Sequence, residues 1–473
     1  MKNLVNLVIF SICATITYSQ DKWDLERCVL FAIENSIDVT QAGFGLKTAQ
    51  INTKQSEHQR YPSLNFGSNL NLNFGRTIDP TTDAFITSSF LSNGYSLNAG
   101  ITVFGGGRIN NAIERDRWSE KVAEADRDGV INLLTVNVIN AYFEILFAED
   151  NYDNSAIQLK TTDDQIDQMS KMVEAGTRAR FELYDLEAQK ASFEQELTIA
   201  QNRIDLAYLN LLGLLNLPSD FDLTIEEPPV DQEVYTDINV VSLDEVYEKA
   251  INFQPRSRSL DYQIQSASSQ VDVSKGAYLP TVTFGAGLIT NYSNRAKDVV
   301  GFVTNQFSNN VLIDGNPSVL TVEQQSPILE DSPYFTQFDN NLSYGFGLNL
   351  SVPIYNNYNT KANEQRAKVT LDNLMAEKDK NEIELKNFIM QLITDARASK
   401  RSLEAADKTL SARQTAFENA EKRYNLGAIN SYDYINAQDQ LSTALTNQLI
   451  GKYDYMLKIK VLDYYQGYPV SLK

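Results

Sequence analysis

Two periodicities take turns along this chain. From Ile131 an apolar residue returns at every seventh position, as Val138, Ile145, Tyr152, Leu159, Ile166 and Val173. The ladder comes back in the same phase as Ile389, Ala396, Leu403, Leu410, Phe417 and Tyr424. A seven-residue repeat holds one stripe of a helix against its neighbours and imposes a left-handed supercoil. It predicts long helices over about 109–173 and about 360–424, the first about 100 Å long at the α-helical rise. Reversals follow at Glu174-Ala175-Gly176 and Asn425-Leu426-Gly427, where each glycine can take the left-handed conformation that ends a helix. Return helices are expected over about 181–215 and about 431–465.

The second periodicity is two. Leu64, Phe66, Leu70, Leu72 and Phe74 alternate with Asn65, Gly67, Asn69, Asn71 and Asn73. Tyr95, Leu97, Ala99, Ile101 and Val103 follow the same rule, as do Val282, Phe284, Ala286 and Leu288, and then Phe346, Leu348, Leu350, Val352 and Ile354. Four strands are expected, over about 63–75, 95–104, 280–290 and 342–354. A helix over about 39–60 leads to the first of them, and Pro62 and Pro280 mark where the preceding helices stop.

The order helix, strand, strand, long helix, return helix is written twice. Asp24-Leu25 falls beside Ser242-Leu243, Pro62 beside Pro280, and Phe66-Gly67 beside Phe284-Gly285, all at an offset of about 218. After residue 95 the offset becomes about 251, so the second copy carries roughly 33 extra residues. The expected organisation is a leader over 1–19, a first repeat over 20–215, a connection over 216–240, a second repeat over 241–467 and a tail over 468–473. The Asn-, Ser- and Gly-rich stretch of about 290–341 reads as one long loop.

Alternation alone fits a half-buried sheet in a soluble domain as well as an outer-membrane barrel with lipid outside and water inside. Met1-Lys2-Asn3, the apolar Leu4 to Thr15 and the small residues Thr17 and Ser19 form a secretory signal, cut between Ser19 and Gln20. That signal, the Asn-rich polar face and the unequal loops favour the barrel. Bulky Ile12 before Cys13 argues against lipid attachment there, and Cys28 reads as a small buried hydrophobe in an amphipathic helix. No stretch of the mature chain reads as the 18 or so apolar residues of a membrane helix, so strands are expected to do the spanning. Four strands cannot close a barrel, and open edges cannot face lipid. The chain must share its barrel with copies of itself, as a dimer of eight strands or a trimer of 12.

A net charge of -20 and a pI near 4.6 exclude nucleic acid as a natural partner. One histidine, His58, and one mature cysteine leave no His/Cys metal site and no Ser-His-Asp arrangement. Asp163, Asp164 and Asp167 fall on a polar helix face and read as solvated charge. Phe104-Gly105-Gly106-Gly107-Arg108 lacks the Lys-Ser/Thr of a phosphate loop and reads as a strand-to-helix turn. No catalytic residues, metal ligands or cofactor are expected.

The order of a signal peptide, a helix, a Tyr-Pro-Ser-Leu strand start, Phe-Gly-Gly-Gly-Arg, a long helix, a glycine turn and a return helix, written twice, resembles the TolC family of outer-membrane efflux proteins. The most specific segment is Tyr424-Asn425-Leu426-Gly427-Ala428-Ile429-Asn430-Ser431-Tyr432-Asp433-Tyr434-Ile435-Asn436-Ala437. The opening Trp23-Asp24-Leu25-Glu26-Arg27-Cys28 is similar to members from Bacteroidetes-type bacteria. The resemblance implies a homotrimer that combines a shared 12-stranded membrane β-barrel with a long α-helical coiled-coil barrel in the periplasm. It implies a belt made of the inter-repeat segment and the C-terminal tail. The partners it implies are outer-membrane lipid, a periplasmic adaptor docking at the turns of Gly176 and Gly427, and an inner-membrane transporter of the RND or ABC class. Such a chain is a passive exit duct for efflux or secretion. In the family, two acidic positions at the second-repeat tip ring the periplasmic entrance; here the first matches Asp433 and the second falls on Asn436. The first-repeat acidic position that takes part in closure matches Glu182, with Asp185 one turn on, and the tip tyrosine matches Tyr424. The family's tip arginine falls on Ile429, which leaves Arg178 and Arg180 as substitutes for that link. The rival readings are a diffusion porin, which leaves the long helices without purpose, and a coiled-coil adhesin, which leaves the strands unexplained.

Overall fold

In the computed structural model the alternating stretches are paired strands. The described residues are 22–78, 83–87, 89–227, 238, 241–313 and 315–468; the signal peptide, its cleavage site, Cys13 and most of the expected belt and tail lie outside them. In chain order the strands are β1 (Ser63–Asn73), a short pair β2 (Arg76–Ile78) and β3 (Phe85–Thr87), β4 (Phe90–Phe104), β5 (Thr281–Ser293), a long pair β6 (Lys297–Ile313) and β7 (Asn316–Asp331), and β8 (Ser343–Ser351). The helices are α1 (Leu25–Asn35), α2 (Ile37–His58), α3 (Arg108–Glu174), α4 (Arg180–Leu215), α5 (Leu243–Phe253), α6 (Pro255–Gly276), α7 (Tyr334–Asn340), α8 (Asn359–Asn425) and α9 (Ser431–Tyr465). Two compact units emerge, one of residues 1–50, 118–265 and 371–473, the other of 51–117 and 266–370.

In the second unit, β1, β4, β5 and β8 form one antiparallel sheet in that order, so β1 and β8 each have a single neighbour. The register aligns the apolar positions across all four strands. Phe66 faces Leu97, Leu97 faces Leu288 and Leu288 faces Tyr344; Leu64 faces Ala99, Ala99 faces Ala286 and Ala286 faces Phe346. The other face carries Asn65, Asn98, Gly287 and Gly345 in one row. The apolar face is bare. Phe66 is 71% and Phe346 82% exposed, which is unusual for a water-facing sheet and ordinary for a lipid-facing one.

The chain leaves β4 for α3 through Gly105 to Gly107. Gly106 and Gly107 take φ of +65° and +78°, a region that side chains with a Cβ avoid. A Cβ on Gly106 would run into the carbonyl oxygen of Gly276, at the end of α6. Arg108 then ties the corner, with Nε donating to the Gly105 carbonyl at 3.1 Å and Nη2 to Thr281 Oγ1 at 3.0 Å.

The expected loop of about 290–341 is corrected. It contains the hairpin β6–β7 and the helix α7. Asn, Ser and Gln give the stretch a loop-like composition. Among them, however, stand Val303, Phe307, Val311, Val319 and Val322, residues that fit a pleated ladder, and Phe307 pairs with Val322 across it. Among the described residues of the first repeat, the small β2–β3 pair occupies this place.

In the first unit the heptad rungs meet helix partners. Val138, Ile139, Tyr142, Ile145 and Leu146 of α3 are buried with Leu25, Cys28, Val29 and Ala32 of α1, Leu211 and Leu215 of α4, and Tyr453 and Met456 of α9. The second repeat rebuilds this core with equivalent residues. Val246 and Ala250 of α5 pack with Ile389, Ile393 and Ala396 of α8 and Ile459 and Leu462 of α9, over the buried Ile238. The expectation that no segment is apolar enough for a membrane helix also needs correction. An 18-residue stretch of α3 passes that test by length and composition, and half of it is buried. Around Tyr142, α3 is packed by α1, α4 and α9 together, so it needs apolar residues on more than one face.

The expected helix of about 39–60 is α2 and the amphipathic helix expected around Cys28 is α1; the two part at Ser36, whose hydroxyl accepts from Val39 N at 3.2 Å. Asp24 caps α1 by accepting from Arg27 N at 2.8 Å. Trp23 pairs in parallel with Ile225, and the Tyr142 hydroxyl donates to the Trp23 carbonyl at 3.2 Å and to that of Glu226. The start of the first repeat is thereby fastened to its end.

Candidate functional site at the helix turns

Both long helices stop on a glycine. Gly176 has φ +73° and Gly427 φ +75°. At the first turn Thr177 N donates to the Met172 carbonyl at 2.9 Å; at the second Ala428 N donates to that of Arg423 at 2.8 Å. These six-to-one bonds satisfy carbonyls that the helix ends leave open. Asn430 caps α9 by accepting from Asp433 N at 2.8 Å, whereas Ala179 ahead of α4 has no side chain to offer.

The two turns share a small apolar core of Met169, Leu186, Tyr424 and Tyr434, flanked by Ile166, Val173, Phe417 and Ile429. Tyr424 and Tyr434 stack with ring centroids 4.8 Å apart, and Phe417 lies 5.6 Å from Tyr434. Gln165 donates to the Tyr434 hydroxyl. Arg178 crosses from the first turn to the second. Its Nη1 donates to Glu182 Oε2 at 3.2 Å, its Nη2 donates to the Tyr424 carbonyl, and its guanidinium lies 5.0 Å from the centre of the Tyr424 ring. Both charged side chains are largely buried, Arg178 at 15% and Glu182 at 11% exposure. Burial, then the negative charge of Glu182, pushes the Tyr424 hydroxyl up to about 12. A second tie runs from Ser431 Oγ to Asp185 Oδ2 at 2.7 Å, and a third from Gln189 Nε2 to Asp439 Oδ1 at 2.7 Å.

The expected residues therefore fall into two groups. Tyr424, Glu182, Arg178 and Asp185 are drawn together by contacts between the hairpin α3–α4 and the hairpin α8–α9. Asp433 and Arg180 are exposed on the first turns of their helices and Asn436 on the second turn of α9, where its Oδ1 accepts from Gln440 at 3.3 Å. At the repeat offset of about 251, Glu182 corresponds to Asp433, Asp185 to Asn436 and Arg178 to Ile429. In the first repeat, then, an arginine one turn earlier neutralises the carboxylate and draws it inward. In the second an isoleucine stands there, and Asp433 remains in solvent.

Gln165, Met169, Leu186, Ser431 and Tyr434 also build this site, and sequence reasoning did not single them out. The repeat offset was the available signal for Tyr434, which corresponds to the half-buried Leu183. Of the carboxylates that invite an acid/base reading, Asp163 pairs with Lys190 at 2.8 Å and Asp167 with Lys171 at 2.6 Å. His58 is exposed at the end of α2.

A family model described as outer membrane efflux protein matches residues 31–217 and 246–459, one span in each repeat. A probable outer membrane lipoprotein, SilC, of Salmonella typhimurium is 25% identical over 56% of this chain. The outer membrane protein TolC of Vibrio cholerae is 19% identical over 74% of it. The aligned region spans 55% of the first relative's length and 70% of the second's. The crystal structure of the outer membrane protein VceC from Vibrio cholerae superposes with a TM-score of 0.73 at 16% identity, covering 94% of this chain and 97% of that one.

Proposed function

The chain belongs to the outer membrane efflux protein family, and from that we propose that it is the exit duct of a tripartite efflux or secretion system. Three copies close a 12-stranded barrel in the outer membrane of a Gram-negative cell, and their helices continue the conduit into the periplasm. The observation that carries this reading is the sheet itself. A bare apolar face runs across four strands, and among the described residues both outer edges lack a neighbour, as expected of one section of a shared barrel. The duct is passive. A periplasmic adaptor docks at the turns of Gly176 and Gly427, and an inner-membrane RND or ABC transporter supplies the energy.

In this reading the turns are the gate. Arg178, Glu182 and Tyr424 hold the two hairpins of one protomer together, aided by the bond from Ser431 to Asp185. Asp433, repeated in three copies, forms a carboxylate ring with Asn436 beside it, and such a ring attracts and retains cations. Adaptor docking separates the hairpins at the Arg178 contacts and widens the ring.

Planar bilayers test both parts. The purified chain is expected to open a conductance that multivalent cations block from one side, and Asp433→Ala is expected to lose that block. A wild-type chain without conductance overturns the duct. An unchanged block in the variant overturns the role of Asp433.

A further inference from the structure

The short helix α7 lies on the apolar face of the four-stranded sheet. Tyr95, two positions from Leu97 on that face, stacks on Phe66 with ring centroids 6.3 Å apart and meets Phe338 at 5.7 Å. The Tyr95 and Tyr334 hydroxyls lie 2.7 Å apart, and the Tyr334 ring packs on Tyr292 at 4.5 Å. Beneath the helix Thr290 is fully buried and donates from Oγ1 to the Phe338 carbonyl at 2.8 Å. Gln337 fastens α7 to the end of β5. It accepts from Ser293 N and donates to the Ser293 carbonyl, each at 2.9 Å. Away from the sheet stands Phe335, 83% exposed, with Phe338 and Leu342 partly exposed on the same segment.

Two features place α7 at a boundary. None of β1, β4, β5 and β8 holds a charged residue. Charge returns at the level of α7, as Arg295 and Lys297 after β5 and as Asp339 on the helix itself. The second feature is height. From Val282 to Thr290, β5 climbs about 21 Å at ~3.4 Å per residue and a tilt of roughly 40°. An outer-membrane barrel carries an apolar band of about 25 Å, edged by aromatic rings. The helix therefore stands where such a band ends. Tyr95, Tyr292 and Tyr334 gather there, and a ring with a hydroxyl suits a place that is apolar on one side and wet on the other.

We propose that α7 is an interfacial anchor: Phe335 enters the outer-leaflet lipid where acyl chains meet headgroups, and the helix sets how deeply the barrel sits. The inference rests on the duct reading, which puts the sheet in the outer membrane. Lipid is the occupant because the surface of α7 continues the bare face of Phe66 and Leu97 through their shared contact with Tyr95. Asp339, one turn beyond Phe335, is exposed and needs water or headgroups around it. The helix thus lies along the boundary and not among the acyl chains.

The test uses the full chain in phosphatidylcholine vesicles, with a nitroxide attached to Phe335→Cys, Phe346→Cys or Asn65→Cys; the native Cys28 is buried. Collision with oxygen reports lipid, and collision with a water-soluble nickel chelate reports water. The Phe335 label is expected to meet oxygen strongly and nickel weakly, within about 10 Å of the headgroups. The Phe346 label is expected deeper, and the Asn65 label in water. A Phe335 label as open to nickel as that of Asn65, as deep as that of Phe346, or shielded by protein from both reagents overturns the anchor and leaves the duct standing. A Phe346 label in water overturns the duct reading itself. Phe335→Trp, which keeps an apolar ring, gives a second reading through lipids brominated near the headgroup. It is expected to add quenching beyond that of the wild-type chain, and no added quenching overturns the anchor.

Discussion

Arg178 shows how one side chain separates two copies of the same turn. The repeat supplies a carboxylate at Glu182 and again at Asp433, but only the first has an arginine one turn earlier. Removing one partner of a largely buried ion pair leaves the other charge unsolvated, which costs more than the pair contributes. Arg178→Met is therefore expected to weaken the contact between the hairpins by on the order of 2 kcal/mol, leaving Glu182 without its partner. In bilayers this appears as a raised resting conductance. Arg180→Met, at an exposed position, is expected to leave conductance at the wild-type level, and equal effects of the two would show that Arg178 is no latch. The family resemblance pointed to Glu182 and Tyr424 and marked the missing arginine at Ile429. That Arg178 reaches the Tyr424 carbonyl was not legible, because it depends on a contact between residues 246 positions apart.

At the level of elements, the corner from β4 to α3 is the tightest junction. Replacing glycine by alanine inside a helix ordinarily stabilises by about 0.5–1 kcal/mol. Gly276→Ala at the end of α6 is expected to do the reverse, since its Cβ would lie 2.6 Å from both Arg108 Cγ and the Gly106 carbonyl oxygen. A cost of roughly 1–3 kcal/mol is expected, read as a lower thermal midpoint. Gly213→Ala in α4, where nothing stands within 4 Å, serves as the control and is expected to raise it. The run Phe104 to Arg108 announced this turn in the sequence, whereas its partner Gly276 did not stand out, being one glycine at a helix end. The hairpin β6–β7 shows the opposite limit. Its strand pattern is local, but polar residues dilute it, and only pairing across the Gly315 turn makes it evident.

For the whole molecule, the exposed sheet face separates a membrane protein from a soluble one. On a water-facing surface Phe346→Arg would be harmless or favourable. Facing lipid, an arginine near the bilayer midplane costs about 2–4 kcal/mol. Phe346→Arg is expected to lower the amount of folded chain in the outer membrane, measured by heat-modifiable migration on gels. Asn65→Arg, on the polar face, is expected to lower it far less. Equal yields from the two variants would remove lipid from the apolar face.

The heptad ladder, the alternation and the glycine turns are local patterns, and local patterns survive in one dimension. They determined by themselves the kind and order of the main elements and the duplication; the family came from the resemblance of the ordered motifs to known members. The paired cores of the two repeats followed from the same phase, with Val138 and Ile145 answered by Ile389 and Ala396. Tertiary structure decided what depends on distance across the fold. It buried Glu182 and left Asp433 in solvent, closed Gly106 against Gly276, and paired β6 with β7 rather than with the sheet. Those outcomes rest on residues far apart in the chain, whose meeting no periodicity encodes.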